Sequence, residues 1–119
     1  MAAPNIVNVS NINGSTAVQS VTTTATAIVS NAAASGTVVK VNNLVVSNIN
    51  GSVTGTITAT LYRNSTDYRL AYLIPVPGGS SLVVMDKATG IYLQEGDSLR
   101  LTASANSYLE AVCSYETIS

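Results

Sequence analysis

The 119-residue chain has no histidine, phenylalanine or tryptophan, and it has one cysteine. Without histidine, neither a Ser-His-Asp triad nor a Cys-His pair can form, and a histidine-containing metal site is excluded. With a single cysteine, Cys113, an intrachain disulfide is excluded as well. Cys113 falls on the apolar phase of an alternating segment, so we expect a small buried thiol there.

Charge is also scarce. Charged residues make up 9% of the chain and the formal net charge is −1, whereas about a quarter of an average protein is charged. This balance provides no basic surface for nucleic acid and no attraction to anionic lipid. A Ser-, Thr- and Asn-rich surface with a net charge near zero is poorly protected against association. We therefore expect a protein that packs against copies of itself or against other proteins.

Targeting and membrane signals are absent from the sequence. The opening MAAPNIVN lacks the basic and apolar regions of a secretory signal. No apolar run approaches the roughly 18 residues that a membrane helix needs. We expect a soluble protein that is made where it is used.

The six acidic residues do not form a pattern typical of catalysis. Glu110 and Glu116 face the same way, but six residues of strand separate them by about 20 Å, whereas glycoside hydrolysis needs about 5 to 10 Å. Glu95 and Asp97 flank Gly96 and resemble a calcium loop only loosely. A turn is the favoured interpretation, with Gly96 in a permissive conformation and Asp97 accepting bonds from nearby amides. The sequence thus predicts no catalytic residue, metal site or cofactor, and a protein that is not an enzyme.

Strand periodicity dominates the chain. Apolar residues alternate with polar ones at Ile57, Ala59 and Leu61, and again from Leu99 and from Leu109. Residues 17–29 are also interpreted as extended chain. Turn signals at short intervals favour an all-β fold, an antiparallel β-sandwich of about eight strands, jelly-roll or immunoglobulin-like, with residues 1–119 in one domain. Residues 1–9 are expected to form an extended N-terminal arm or an edge strand, or simply the first strand of the sandwich.

The heptapeptide VSNINGS occurs twice, at residues 9–15 and 46–52. The match ends on both sides, so a duplicated domain is disfavoured. We predict two hairpins built on one turn sequence, with Asn-Gly at each tip. In that interpretation Gly14 and Gly51 have positive φ angles and resist substitution.

The segment YRNSTDYR holds the candidate interface. Tyr62 occupies the outward phase of its strand, and Tyr68 and Tyr72 share one phase of the next. Exposed tyrosines can stack on sugars or anchor a protein interface, although partial burial at the end of a small sandwich is the plainer interpretation. The candidate interface residues are Pro4, Asn5, Ile6, Tyr62, Arg63, Tyr68, Arg69 and Tyr72.

Three segments carry a resemblance to a known family: PVPGGSSLVVMDK from Pro75, IYLQEGDSLRLTASA from Ile91 and the ending LEAVCSYETIS. With the opening PNIVNV they resemble small virion structural proteins of tailed phages, especially cyanophages. The resemblance implies a virion component, made in the host cytoplasm, with no catalytic residues to transfer.

Three roles remain open. The favoured role is capsid decoration (cement), in which a homo-oligomer, with a trimer as one arrangement, binds the major capsid protein. The alternatives are a neck, tail or fibre component and, from another class, a carbohydrate-binding module that uses the tyrosine surface.

Overall fold

The computed structural model describes residues 11–119, apart from the side chain of Lys87. The candidate residues Pro4, Asn5 and Ile6, and the expected arm, lie outside this range. The described chain contains nine strands and a 3₁₀ turn at Lys87–Thr89, and none of its helices is long and apolar enough to cross a membrane. The strands are β1 (Ile12–Val21), β2 (Thr26–Ser30), β3 (Val38–Asn48), β4 (Gly55–Arg63), β5 (Thr66–Val76), β6 (Ser81–Met85), β7 (Ile91–Leu93), β8 (Ser98–Ala103) and β9 (Leu109–Ile118).

The strands form two antiparallel sheets. The first sheet has the order β1-β9-β3-β6, with β7 also paired to β3, and the second has the order β2-β8-β4-β5. β6 and β7 together act as one strand that the 3₁₀ turn interrupts, because both pair with β3. With β6 and β7 counted as one, each sheet has four strands and the order is that of a jelly roll, the double Greek-key sandwich. The all-β sandwich prediction is confirmed, and of its two variants the jelly roll is the one observed.

The core lies between the sheets and is built from small aliphatic side chains. Leu99, Leu101, Leu109 and Cys113 are fully buried, so the alternation predicted for β8 and β9 is confirmed. Each such leucine contributes about 1.5 to 3 kcal/mol by leaving water. With no phenylalanine or tryptophan, the sheets are held together by β-branched and leucine side chains that interdigitate across the gap.

The predicted hairpin at Asn13–Gly14 is wrong. Gly14 lies inside β1 opposite Glu116, within a register that runs unbroken from Ile12 opposite Ile118 to Val21 opposite Leu109. The extended segment predicted over residues 17–29 is in fact two strands, since a bend at residues 23–24 carries the chain from β1 in the first sheet to β2 in the second.

The second heptapeptide does contain a turn, but it is not a two-residue hairpin. Its first residues end β3 and the remainder crosses to β4 in the other sheet. Asn50 shapes this loop by accepting hydrogen bonds from the amides of Ser52 (2.9 Å) and Val53 (3.1 Å), as short polar side chains do in Asx turns. The positive φ predicted for Gly51 is wrong, because the asparagine side chain stabilises the turn without it.

The tight hairpin of the fold is at Asn64–Ser65 instead. It joins β4 to β5 with Arg63 opposite Thr66, and the φ angles of its two central residues are +52° and +61°. Positive φ at both positions defines a type I′ turn, whose twist matches that of the flanking strands. This turn brings the tyrosine- and arginine-bearing ends of β4 and β5 together.

A glycine prediction follows from the close approach of two loops. A Cβ atom on Gly78 would lie 2.8 Å from the carbonyl oxygen of Asn50 and 2.9 Å from the amide nitrogen of Ser52. We expect Gly78→Ala to lower the free energy of unfolding by about 1 to 3 kcal/mol, because backbone atoms must move to admit the methyl group.

Gly51→Ala is the matched control, since its Cβ would have no heavy atom within 4 Å. We expect it to change stability by less than about 0.5 kcal/mol. Urea unfolding followed by circular dichroism measures both. Equal effects of the two substitutions would contradict the close-approach explanation.

Candidate functional site

The outer face of the second sheet carries a polar and aromatic cluster. In the register of β4 with β8, Thr58 pairs with Thr102 and Thr60 with Arg100. Their side chains alternate with the buried residues Leu99 and Leu101 of β8 and therefore face outward. We call this cluster the outer patch; its residues are Thr58, Thr60, Tyr62, Asp67, Arg69, Tyr72, Arg100 and Thr102.

Hydrogen bonds and ring stacking order the outer patch. Asp67 accepts a 2.7 Å bond from the Thr60 hydroxyl and lies 3.5 Å from a guanidinium nitrogen of Arg100. The Arg100 guanidinium is also 4.4 Å from the ring centroid of Tyr62, a cation–π distance. Tyr62 therefore faces outward, as predicted, but it is only partly exposed and Arg100 lies over its ring.

Tyr72 is the freer aromatic residue of the patch. Its side chain is 56% exposed, and Arg69 lies over its ring at 4.8 Å. A depression of about 190 Å³ opens beside it, lined by Ala25, Thr58, Thr60, Asp67, Arg69, Tyr72 and Thr102. This depression presents hydroxyl, carboxylate, guanidinium and aromatic groups together.

The prediction that Tyr68 and Tyr72 share one phase is wrong. The register of β4 with β5 shifts between Ala59 and Thr60, whose partners are Ala71 and Arg69, so Leu70 is an extra residue of β5 between these tyrosines. A bulge inserts an unpaired residue and reverses the side-chain alternation beyond it. Tyr68 consequently lies opposite Leu61, whose side chain packs against the core, while Tyr72 joins Arg69 at the depression.

Next to the outer patch, β5 is an exposed apolar edge strand. It ends the second sheet and pairs only with β4 among the described strands. Its exposed apolar residues, with their exposed fractions, are Tyr68 (56%), Leu70 (41%), Tyr72 (56%), Leu73 (53%) and Ile74 (36%). Exposed apolar side chains clustered along one edge strand are typical of surfaces that bind other macromolecules.

Arg63, a candidate interface residue, does not belong to the outer patch and is bound to Asp97 instead. Its Nε atom donates to Oδ1 of Asp97 at 2.9 Å, and a second guanidinium nitrogen donates to Oδ2, so the pair is bidentate. The Asp97 side chain is 3% exposed and that of Arg63 is 35% exposed. These hydrogen bonds from Arg63 hold the pKa of Asp97 below its ordinary value although burial opposes the shift.

The loop Glu95-Gly96-Asp97 is a turn, as the favoured interpretation had it. Gly96 has φ +90°, and Asp97 accepts a 2.8 Å bond from the backbone amide of Gln94. Within residues 11–119, no three His, Cys, Asp or Glu side chains are grouped to hold a metal ion.

Sequence reasoning missed the Arg63–Asp97 pair and the place of Arg100, because these pairings join strands that are distant along the chain. One sequence signal was available: Asp97 lies on the same alternating phase as Leu99 and Leu101, and a carboxylate that is buried with such residues needs a partner.

Comparisons with known proteins show the fold. No family model matches the chain, and no curated protein matches it. A solved structure from work on Bacillus endospore appendages, described as a novel family of disulfide-linked pili, is 14% identical with a TM-score of 0.53; the match covers 92% of this chain and 87% of that chain. A chain from an archaeal virus, described by its triple jelly roll fold and turret assembly, is 18% identical with a TM-score of 0.51; the match covers 94% of this chain and 30% of that chain.

The Arg63–Asp97 pair predicts a pH-dependent stability. The pKa of Asp97 is lowered on folding, so the ionised carboxylate stabilises the protein above its ordinary pKa of 3.8. That stabilisation is lost as the pH falls through the lower value of the folded state. We expect Asp97→Asn to cost about 1 to 3 kcal/mol at pH 7, with the deficit relative to wild type shrinking below about pH 4.

Urea unfolding at pH 7 and at pH 3 measures this. Asp67→Asn is the control, because its pairing with Arg100 is half-exposed and such surface pairs contribute about 0 to 1 kcal/mol. A deficit for Asp97→Asn that is equal at both pH values would contradict the role given to its charge.

Cys113 is expected to be unreactive in the folded protein. Its side chain is fully buried in β9, and burial raises the pKa of the thiol to about 11. Since the thiolate is the reactive form, iodoacetamide at pH 8 should leave the native protein unlabelled and label it fully in guanidinium chloride. Mass spectrometry counts the adducts, and rapid labelling of native protein would contradict the burial of this thiol.

Proposed function

We propose that this chain is a non-enzymatic structural subunit of a virus particle, placed on the capsid as a decoration protein that binds the major capsid protein. One observation carries the proposal: the apolar edge strand β5, with five large apolar side chains exposed, one of which, Tyr72, also belongs to the outer patch. Tyrosine and arginine side chains in such a setting are typical of residues that dominate binding energy. The chain's low charge supports the same conclusion, since few ions must be desolvated when its surface is covered.

The solved structures support a structural role by analogy of fold. One neighbour is described by its turret assembly in a virus and the other as a disulfide-linked pilus. Cys113 is fully buried, so an intermolecular disulfide through this residue would require local opening of the core. We therefore favour a non-covalent particle component over a covalently linked filament, and its attachment then depends on repeated weak contacts.

The position on the particle is tested by imaging and counting. Particles carrying a labelled chain are examined by cryo-electron microscopy, and copies per particle are measured by quantitative mass spectrometry. Roughly hundreds of copies on the head would support decoration, and roughly a dozen or fewer at one vertex would support a neck, tail or fibre component. Absence from purified particles would overturn the proposal.

A specific prediction concerns β5. We expect Leu70→Ser and Tyr72→Ala each to weaken particle binding by about tenfold or more, because truncation of an interface anchor costs about 2 kcal/mol. Tyr92→Ala is the control: Tyr92 is 46% exposed but lies in β7, in the first sheet. Co-sedimentation of each variant with undecorated particles gives the affinities, and unchanged circular dichroism shows that folding is intact.

A carbohydrate-binding module is the second candidate, because the depression combines Tyr72 with Asp67, Arg69 and three threonines. Sugar rings stack on exposed aromatic faces and accept or donate hydrogen bonds at such groups. Leu70 does not line the depression, so Leu70→Ser separates the two functions. Glycan-array binding that Tyr72→Ala abolishes and Leu70→Ser preserves would support the module, whereas an array without binding would exclude it.

A further inference from the structure

The strand β1 presents a second exposed edge on the described part of the molecule. Its ten residues pair with β9, and within residues 11–119 no strand pairs with its other side. In an antiparallel ladder, alternate residues direct their N–H and C=O groups to opposite sides. Half of the backbone groups of β1 therefore point away from β9, and no strand within residues 11–119 pairs with them.

This edge lacks the features that normally prevent strands of different molecules from pairing. Natural edge strands are short, bulged, or carry charged residues and proline. β2 and β6 are five residues each, and β5 has two bulges, Pro75, Asp67 and Arg69. β1 has ten residues, no charged residue, no proline and no break in register. Of the four edge strands, β1 is the one built for pairing.

A row of valines ends at this edge. Across the outer face of the first sheet, Val18 lies opposite Val112, Val112 opposite Val45, and Val45 opposite Val83. Three of the four are well exposed: Val18 (75%), Val83 (58%) and Val112 (43%). The row thus forms an apolar stripe that crosses all four strands and stops at Val18.

Polar rows lie on both sides of the valine row. On one side, Ser20 of β1 lies opposite Glu110, which lies opposite Ser47. On the other side, Thr16 lies opposite Ser114, with their hydroxyl oxygens 3.4 Å apart. Along β1, Val18 therefore has a small hydroxyl-bearing residue two positions before it, Thr16, and another two positions after it, Ser20. The pattern around Val18 is the same in both chain directions.

We propose that two copies of this chain join through their β1 edges, antiparallel and with Val18 of one copy opposite Val18 of the other. The dyad passes through this residue pair, so Thr16 of each copy lies opposite Ser20 of the other. Apolar and hydroxyl rows then continue across the junction. Because β1 has no charged residue, no two charges of this strand face each other there. The two first sheets become one eight-stranded sheet with an unbroken eight-valine stripe.

Other registers fit less well. The outward-facing residues of β1 have even numbers, so the numbers of two outward-facing residues that pair across the junction add up to an even number. A shift of the register by one residue would pair an outward-facing residue with an inward-facing one. A dyad at Ala17 places each Val18 opposite Thr16, and a dyad at Thr16 places each Val18 opposite Gly14. Only the dyad at Val18 pairs the valines, and cross-strand pairs of this kind contribute about 0.2 to 1 kcal/mol each.

The dimer goes beyond the proposed function, because it requires no particle and uses the edge β1 rather than β5. A single strand edge is smaller than the interface of a stable dimer, which buries about 1,600 Å². We therefore expect reversible association with a dissociation constant on the order of 100 µM, which becomes effective when many copies are held close together.

Sedimentation velocity of the full chain from 10 µM to 1 mM tests the association. We expect a concentration-dependent dimer that Val18→Lys abolishes, since two ammonium groups would face each other at the dyad. Val83→Lys is the matched control: it makes the same change at the other end of the valine row, and its dimer should persist. A monomer throughout, or a dimer unaffected by Val18→Lys, would overturn the proposal. Loss of the dimer with Val83→Lys as well would also overturn it, because that result indicates face-to-face stacking of the valine stripes.

Oxidative cross-linking tests the register. Val18→Cys should form a disulfide-linked dimer, because directly opposite residues place their Cα atoms within disulfide range, and Cys113 is buried. A mixture of Thr16→Cys and Ser20→Cys should cross-link as a heterodimer faster than either variant alone. Faster homodimers of Thr16→Cys would place the dyad at Thr16 and contradict the proposed register. Failure of these tests would leave particle binding through Leu70 and Tyr72 unaffected, so the two proposals are separable.

Discussion

Buried asparagine amides hold the two ends of this sandwich closed. Asn31 is 4% exposed, and its amide group donates 2.9 Å bonds to the carbonyl oxygens of Thr37 and Leu93. Asn48 is 3% exposed and donates 2.8 Å bonds to the carbonyl oxygens of Val53 and Val76. Each therefore joins a loop that crosses between the sheets to the end of a strand. A buried carbonyl without a partner would cost about 1 to 3 kcal/mol, so the crossing loops depend on these two side chains.

Neutral amides suit this role in a chain with few charges. An amide satisfies two carbonyls without the desolvation cost of an ion, and the chain can then leave its outer surfaces almost uncharged. Where one buried carboxylate is used, at Asp97, the fold supplies a bidentate arginine for it. The surfaces proposed for association, β5 and β1, are available because closure of the sandwich does not use them.

The fold class could be predicted from alternation alone, because the buried leucines of β8 and β9 repeat every second residue. Turn geometry could not. From Ile12 onward, the first copy of the peptide SNINGS forms part of β1, whereas the second copy ends β3 and forms a crossing loop. Asn-Gly permits a hairpin but does not require one, and pairing with β9 outweighs that local preference at Gly14. For the candidate site, the outward phase of Tyr62 was predictable, but the bulge at Leu70 that separates Tyr68 from Tyr72 depends on pairing with β4 and leaves no local signal.

The strand order also affects how the protein is made. β9 lies between β1 and β3, and β8 lies between β2 and β4, so the last two strands of this domain to be synthesised occupy the middle of both sheets. The first seven strands cannot form a continuous sheet without them, and contacts so distant in sequence form slowly. Folding is therefore expected to occur as one late, cooperative event after synthesis of β9. A nascent chain without β9 would lack the partner that β1 pairs with, which delays association through the β1 edge until translation has passed the whole domain.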